Sequence, residues 1–217
     1  MTWKEFKKSK VLALLEIVVI FIGLPLIYNF ELIPVHKSIP LLFMFFIYLA
    51  YLLKVSKFKL RRLGLNGFKQ WSDWKPVLTR FAFVLIILLI IMYIFDKEHL
   101  YFLPRTNIII WLGVAFLYPI WSVIPQELIY RAYFFKRFAF FFKNEIWLIL
   151  VNAFLFSFAH IIFNNWIAVT LTFLGSIMFA RTYIKSKSLL VVFIEHTLYG
   201  VMIFTIGLGR YFYLPMN

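Results

Sequence analysis

The chain has 217 residues, of which 64% are hydrophobic and 15% charged, with 28 Phe and a mean hydropathy of +0.89. A soluble fold of this size cannot hide so much apolar surface, so the composition excludes a disordered chain and points to a bilayer as solvent. Cys is absent, which excludes disulfide scaffolds, Cys-ligated zinc, iron–sulfur clusters and thiol nucleophiles.

A spanning helix needs about 20 mostly apolar residues. Seven stretches qualify, near 11–30, 38–54, 78–95, 108–135, 145–163, 165–184 and 188–208. They predict an all-α, polytopic bundle forming a single integral membrane domain over 1–217. The first stretch follows MTWKEFKKSK. It has no A-x-A site and outlasts a signal peptide's apolar region, so it reads as an uncleaved span. Between the second and third stretches, the polar segment from Lys54 to Lys75 carries Trp71 and Trp74 among lysines. That pattern suits a connector at the membrane surface. The fourth stretch holds Pro119 and Pro125, which predict a kink or two shorter helices.

The formal charge is +14. Of the basic residues, eighteen fall on the N-terminal tail and the even-numbered connections, eight of them in 54–80, and four on the opposite side. The positive-inside rule then predicts a cytoplasmic N-terminus and an external C-terminus. Topology accounts for the basic excess, and no nucleic-acid partner is needed. Splitting the fourth stretch at Pro125 would destroy the alternation.

Ionisable groups within spans are functional candidates. They are Glu16, Glu127, Arg131, His160, Glu195 and His196. In PQELIYRAYF, Glu127 and Arg131 lie four apart on one helix face, in the favourable order. Taken alone, the pair also reads as a packing ion pair. In FSFAHIIFNN, the spacing puts Phe156, His160 and Asn164 on one stripe. In IEHTLYG, Glu195 and His196 are adjacent and face different ways, with Tyr199 and Gly200 on the His196 side. A carboxylate with histidines can activate water directly or through a metal, and a second His or an amide can hold an oxyanion. Neither the HExxH zinc signature nor a serine nucleophile signature is present.

These three segments resemble the family of CAAX-processing and bacteriocin-processing intramembrane proteases, called CPBP or Abi. Its signature is EExxxR, then FxxxH, then HxxxN or HxxxD. The matching residues here are QELIYR at 126–131, FSFAH at 156–160 and HTLYG at 196–200. The likeness covers a motif-bearing core of 125–200. It implies an intramembrane endopeptidase acting on a peptide or protein tail at the bilayer. Glu127 and His160 would activate water, His196 would stabilise the oxyanion, and Arg131 would orient Glu127. Asn164, Tyr199 and Phe156 would line the substrate side. The family has been described both as metal-dependent and as metal-free. Zinc or another divalent ion would find His160, His196 and Glu127 as ligands.

Two positions depart from the pattern. Gln126 stands where the family has its first Glu, and it cannot take a proton. Gly200 stands where an amide or carboxylate would assist His196, and Asn164, Glu195 or Tyr199 would have to fill that gap. The alternative is therefore an impaired pseudoprotease that binds a membrane partner in the old cleft. A proton-coupled carrier is a third reading, disfavoured because no paired broken helices occur in symmetric halves.

Overall fold

The computed structural model describes residues 10–30 and 71–212. The second expected span, 38–54, and most of the Lys54–Lys75 connector lie outside the described residues. Within them the protein is all-helical, with six helices long and apolar enough to cross a membrane. These are α1 (Lys10–Asn29), α2 (Trp71–Phe95), α3 (Ile108–Phe141), α4 (Glu145–Phe163), α5 (Trp166–Ser186) and α6 (Leu189–Ile206). They correspond to six of the seven expected stretches. The chain is an integral, multi-pass membrane protein.

The helix starts follow from the sequence. The four N–H groups of a first turn lack intrahelical partners, and Asn or Ser side chains satisfy them. Asn107 Oδ1 accepts from Ile110 N at 3.0 Å, Asn144 Oδ1 from Ile146 N at 2.8 Å, Asn165 Oδ1 from Ala168 N at 2.8 Å, and Ser188 Oγ from Val191 N at 3.4 Å. Gly207 ends α6 at φ +102°, in the left-handed region that only glycine adopts freely.

The proline-bearing stretch is one continuous helical span. Pro119 opens a π-helical turn, Pro119–Val123, and Pro125 follows in the short α-helical piece Ile124–Glu127. A second π turn, Leu128–Tyr133, carries Arg131. Wide turns accommodate the backbone bonds that proline removes, and they re-aim the side chains that follow. The span therefore reaches Phe141, beyond its expected end.

The exterior is apolar. Phe95, Ile109, Phe116 and Trp166 are each at least 70% exposed, as side chains facing lipid must be. The most buried helix is α6, with 50% of its apolar window covered against 11% for α2. It packs against α2, α3 and α5, while α4 and α5 form the most extensive helix pair. α1 docks on the C-terminal part of α3. Phe21 is fully buried edge-on to Tyr130, Phe134 and Phe138 at 5.2–5.9 Å between centroids. Beside it, Glu16 accepts from Arg137 Nε at 2.7 Å and from the Tyr133 hydroxyl at 2.9 Å. Arg137 thus belongs to a helix and an ion pair, although the loop count places it in a connection. The same holds for Arg80, which lies within α2 and pairs with Glu195.

Candidate active site

Three helices bring the polar groups together around α6. From α3, Glu127 and Arg131 point inward, both fully buried. Their i,i+4 spacing sets Arg131 Nε 3.3 Å from Glu127 Oε2. Each further bond of the guanidinium goes to a neighbouring helix. Arg131 Nη1 donates to Asn152 Oδ1 of α4 at 3.0 Å, and Nη2 donates to Ser176 Oγ of α5 at 3.2 Å. Asn152 in turn donates to the Tyr130 carbonyl at 2.8 Å. The guanidinium lies 5.1 Å from the Phe156 ring and 5.8 Å from the Phe179 ring. Aromatic faces attract a cation most where water is excluded.

From α6, His196 meets the same carboxylate. Its Nδ1 lies 2.7 Å from Glu127 Oε1, across 69 positions of sequence. A carboxylate is an acceptor, so Nδ1 carries a proton. The imidazole stacks on Phe179 at 4.5 Å and 22°, and it meets Phe156 edge-on at 5.8 Å. Glu127 Oε2 is buried and has no hydrogen-bond partner among the described residues. One carboxylate oxygen therefore holds His196, while the other is turned to Arg131.

His160 sits where α4 gives way to the 3-10 turn Ala159–Phe163. Its Nδ1 donates to the Phe156 carbonyl at 2.7 Å, which leaves Nε2 as the lone-pair nitrogen. Its ring lies 4.8 Å from Phe156, so that one phenyl borders Arg131, His160 and His196. Phe156 is 1% exposed. It frames the site from within.

The expected stripe of Phe156, His160 and Asn164 breaks at its third member. The 3-10 turn does not keep α-helical spacing, and Asn164 adopts φ +53° at its end and is exposed. Asn tolerates this left-handed geometry. Its neighbour Asn165 makes the structural bonds, donating to the Tyr211 carbonyl at 2.8 Å. Tyr199 turns to Met178, with its hydroxyl 3.7 Å from Sδ, and to the Phe81 and Phe179 rings. Gln126 donates from Nε2 to Ser122 Oγ at 2.7 Å, and its buried Oε1 has no partner.

Glu195 and His196 do face different helices. Glu195 is fully buried and pairs with Arg80 of α2, which also donates to Thr182 Oγ1 at 2.8 Å. Sequence reasoning missed Arg80, Thr182, Asn152, Ser176 and Tyr118 as parts of this network. Asn152 and Ser176 were visible as polar residues in apolar spans, whereas Tyr118 gave no signal.

Among the described residues, no three His, Cys, Asp or Glu side chains gather closely enough to hold a metal ion. Glu127 and both Nδ1 atoms are already engaged with protein groups. Glu127, His160 and His196 do not form such a group in this structure.

No curated protein and no solved structure matches the chain. Residues 104–202 match a family described as type II CAAX prenyl endopeptidase Rce1-like. This stretch carries the Glu127–Arg131, His160 and His196 segments on α3, α4 and α6. The matched family agrees with the group that the three motifs resemble, over the part of the chain that carries them.

Proposed function

We propose that this protein is an intramembrane endopeptidase that hydrolyses one peptide bond in a peptide or protein tail presented at the bilayer. Glu127, assisted by His160, takes a proton from water as the water oxygen bonds to the carbonyl carbon. His196, protonated at both ring nitrogens with its Nδ1–H held by Glu127, donates its Nε2–H to the resulting oxyanion. The proton held on Glu127 then passes to the leaving nitrogen as the C–N bond breaks. Arg131 fixes the orientation of Glu127. The observation that carries this reading is the buried Glu127 carboxylate, held by His196 through one oxygen while the other, ion-paired with Arg131, has no hydrogen-bond partner among the described residues. An acceptor in this state is poised to receive a water proton. The family match over 104–202 supports the same reaction class, with prenylated C-terminal peptides as one substrate class to try.

The test is cleavage of farnesylated and unmodified membrane-anchored peptides by the purified protein in nanodiscs. Wild type should cleave at least one of them. Glu127→Gln should abolish that cleavage in the protein that stays folded, and it should lower the melting temperature, because the amide keeps the shape but leaves buried Arg131 without its counter-charge. If Glu127→Gln cleaves as well as wild type, the assignment of the base is wrong. Gln126→Glu restores paired carboxylates and should keep or raise the rate. If wild type is inert and Gln126→Glu alone creates cleavage, the natural protein is a partner-binding pseudoprotease.

A further inference from the structure

His196 is held at both ring nitrogens. Opposite Glu127, the Tyr118 hydroxyl lies 3.2 Å from Nε2. Tyr118 is the last residue of the α-helical part of α3 before the Pro119–Val123 π turn. Its ring crosses to α6, lying 6.3 Å from His196 and 5.7 Å from Phe204. The space it occupies exists because residue 200 is glycine. A Cβ built on Gly200 would lie 2.5 Å from both Cζ and the hydroxyl oxygen of Tyr118, closer than real Cβ contacts come. Gly200 lies one helical turn beyond His196, on the same face. The site that a polar side chain at 200 would fill from α6 is therefore filled by a phenol from α3.

We infer that Tyr118 is a positioning residue for His196, its hydroxyl taking the place that the third motif leaves empty at Gly200. The inference rests on the endopeptidase reading for its catalytic consequence and on the contact alone for its structural one. With Nδ1–H given to Glu127, the Tyr118 hydroxyl donates to Nε2 when the ring is neutral and accepts from Nε2–H when both nitrogens are protonated. The bond is longer than the 2.7–2.8 Å common for hydroxyl donors. It can thus be given up when a substrate carbonyl approaches, while the phenol stays beside the same oxygen. A carboxylate, an imidazole and a phenol are in this way strung between α3 and α6, with Phe179 fixing the ring plane.

Two readouts test this. The protein contains four histidines, so ¹⁵N-histidine spectra of nanodisc samples can report each ring. Tyr118→Phe keeps the ring and removes only the hydroxyl. It should shift the His196 Nε2 resonance more than any other histidine nitrogen. For the peptide that wild type cleaves fastest, kcat should fall about tenfold with KM unchanged, the worth of one hydrogen bond. Gly200→Ala should give the same spectral change with the hydroxyl still present, because the methyl group displaces the phenol. An unmoved His196 resonance in both variants would overturn the inference. A shifted resonance with no cleavage by wild type would sink the endopeptidase reading and leave the Tyr118–His196 contact standing.

Discussion

At the scale of single residues, Arg131 carries the heaviest energetic demand. A guanidinium removed from water costs several kcal/mol, and only complete pairing offsets it. Here a carboxylate, a carboxamide, a hydroxyl and two aromatic faces share that task, contributed by α3, α4 and α5. Removing one partner leaves the other charge uncompensated. Arg131→Ala should therefore destabilise by about 3–5 kcal/mol. Arg131→Ala combined with Glu127→Gln should recover part of this loss, because the orphaned carboxylate is gone. Thermal melting of both variants in detergent checks the order, and equal stability would mean that Glu127 and Arg131 are not energetically coupled.

At the scale of elements, α1 is bound to α3 by two neighbouring contacts. Phe21 inserts among Tyr130, Phe134 and Phe138, while Glu16 engages Arg137 and Tyr133. Lipid tails are as apolar as phenylalanine, so helices in a bilayer associate through close packing and polar contacts rather than by escape from water. Phe21→Ala would open a cavity where tight packing carries the association, at a cost of about 3–5 kcal/mol in soluble cores and less where lipid can refill the gap. Glu16→Gln keeps the shape but surrenders the charge-assisted bond. Each single variant should lower the melting temperature, and the double variant should lower it by less than the sum, because Phe138 packs against Phe21, Tyr133 and Arg137 and so couples the two contacts. A drop equal to the sum would show that the two contacts act independently. The same elements shape the site. The π turn over Leu128–Tyr133 departs from ideal helical pitch where Arg131 must reach α4 and α5, and such turns often occur at functional positions.

For the whole molecule, orientation in the membrane follows from charge. The basic excess on alternate connections predicts the N-terminus inside and the C-terminus outside. Arg80 and Arg137 are tied up in ion pairs within helices, and on the opposite side Arg210 pairs with Asp96. Discounting them leaves the asymmetry in place. Reporter fusions should place Asn217 outside and residue 60 in the cytoplasm. A cytoplasmic Asn217 would mean that the chain crosses the membrane an even number of times, and that the 38–54 stretch does not span.

What the sequence determined by itself is whatever depends on residues near one another along the chain. Apolar runs of spanning length located the six described helices, with the start of α2 and the end of α3 missed by about two turns. The spacing of Glu127 and Arg131 placed both on one face. Order along the chain also sufficed to relate the three motifs to a family. The tertiary structure decided which polar groups meet, because a contact between helices depends on rotation and crossing angle, which no spacing along one helix encodes. Glu127 reaches His196, Arg80 reaches Glu195, and Arg131 reaches Asn152 and Ser176, each over at least 21 positions. The stripe through Asn164 failed because α4 tightens to a 3-10 turn before that residue. Gly200 read as a missing polar group, yet it is the opening through which Tyr118 approaches His196. Only packing could show this, since the space left by a glycine has no signature until another helix fills it.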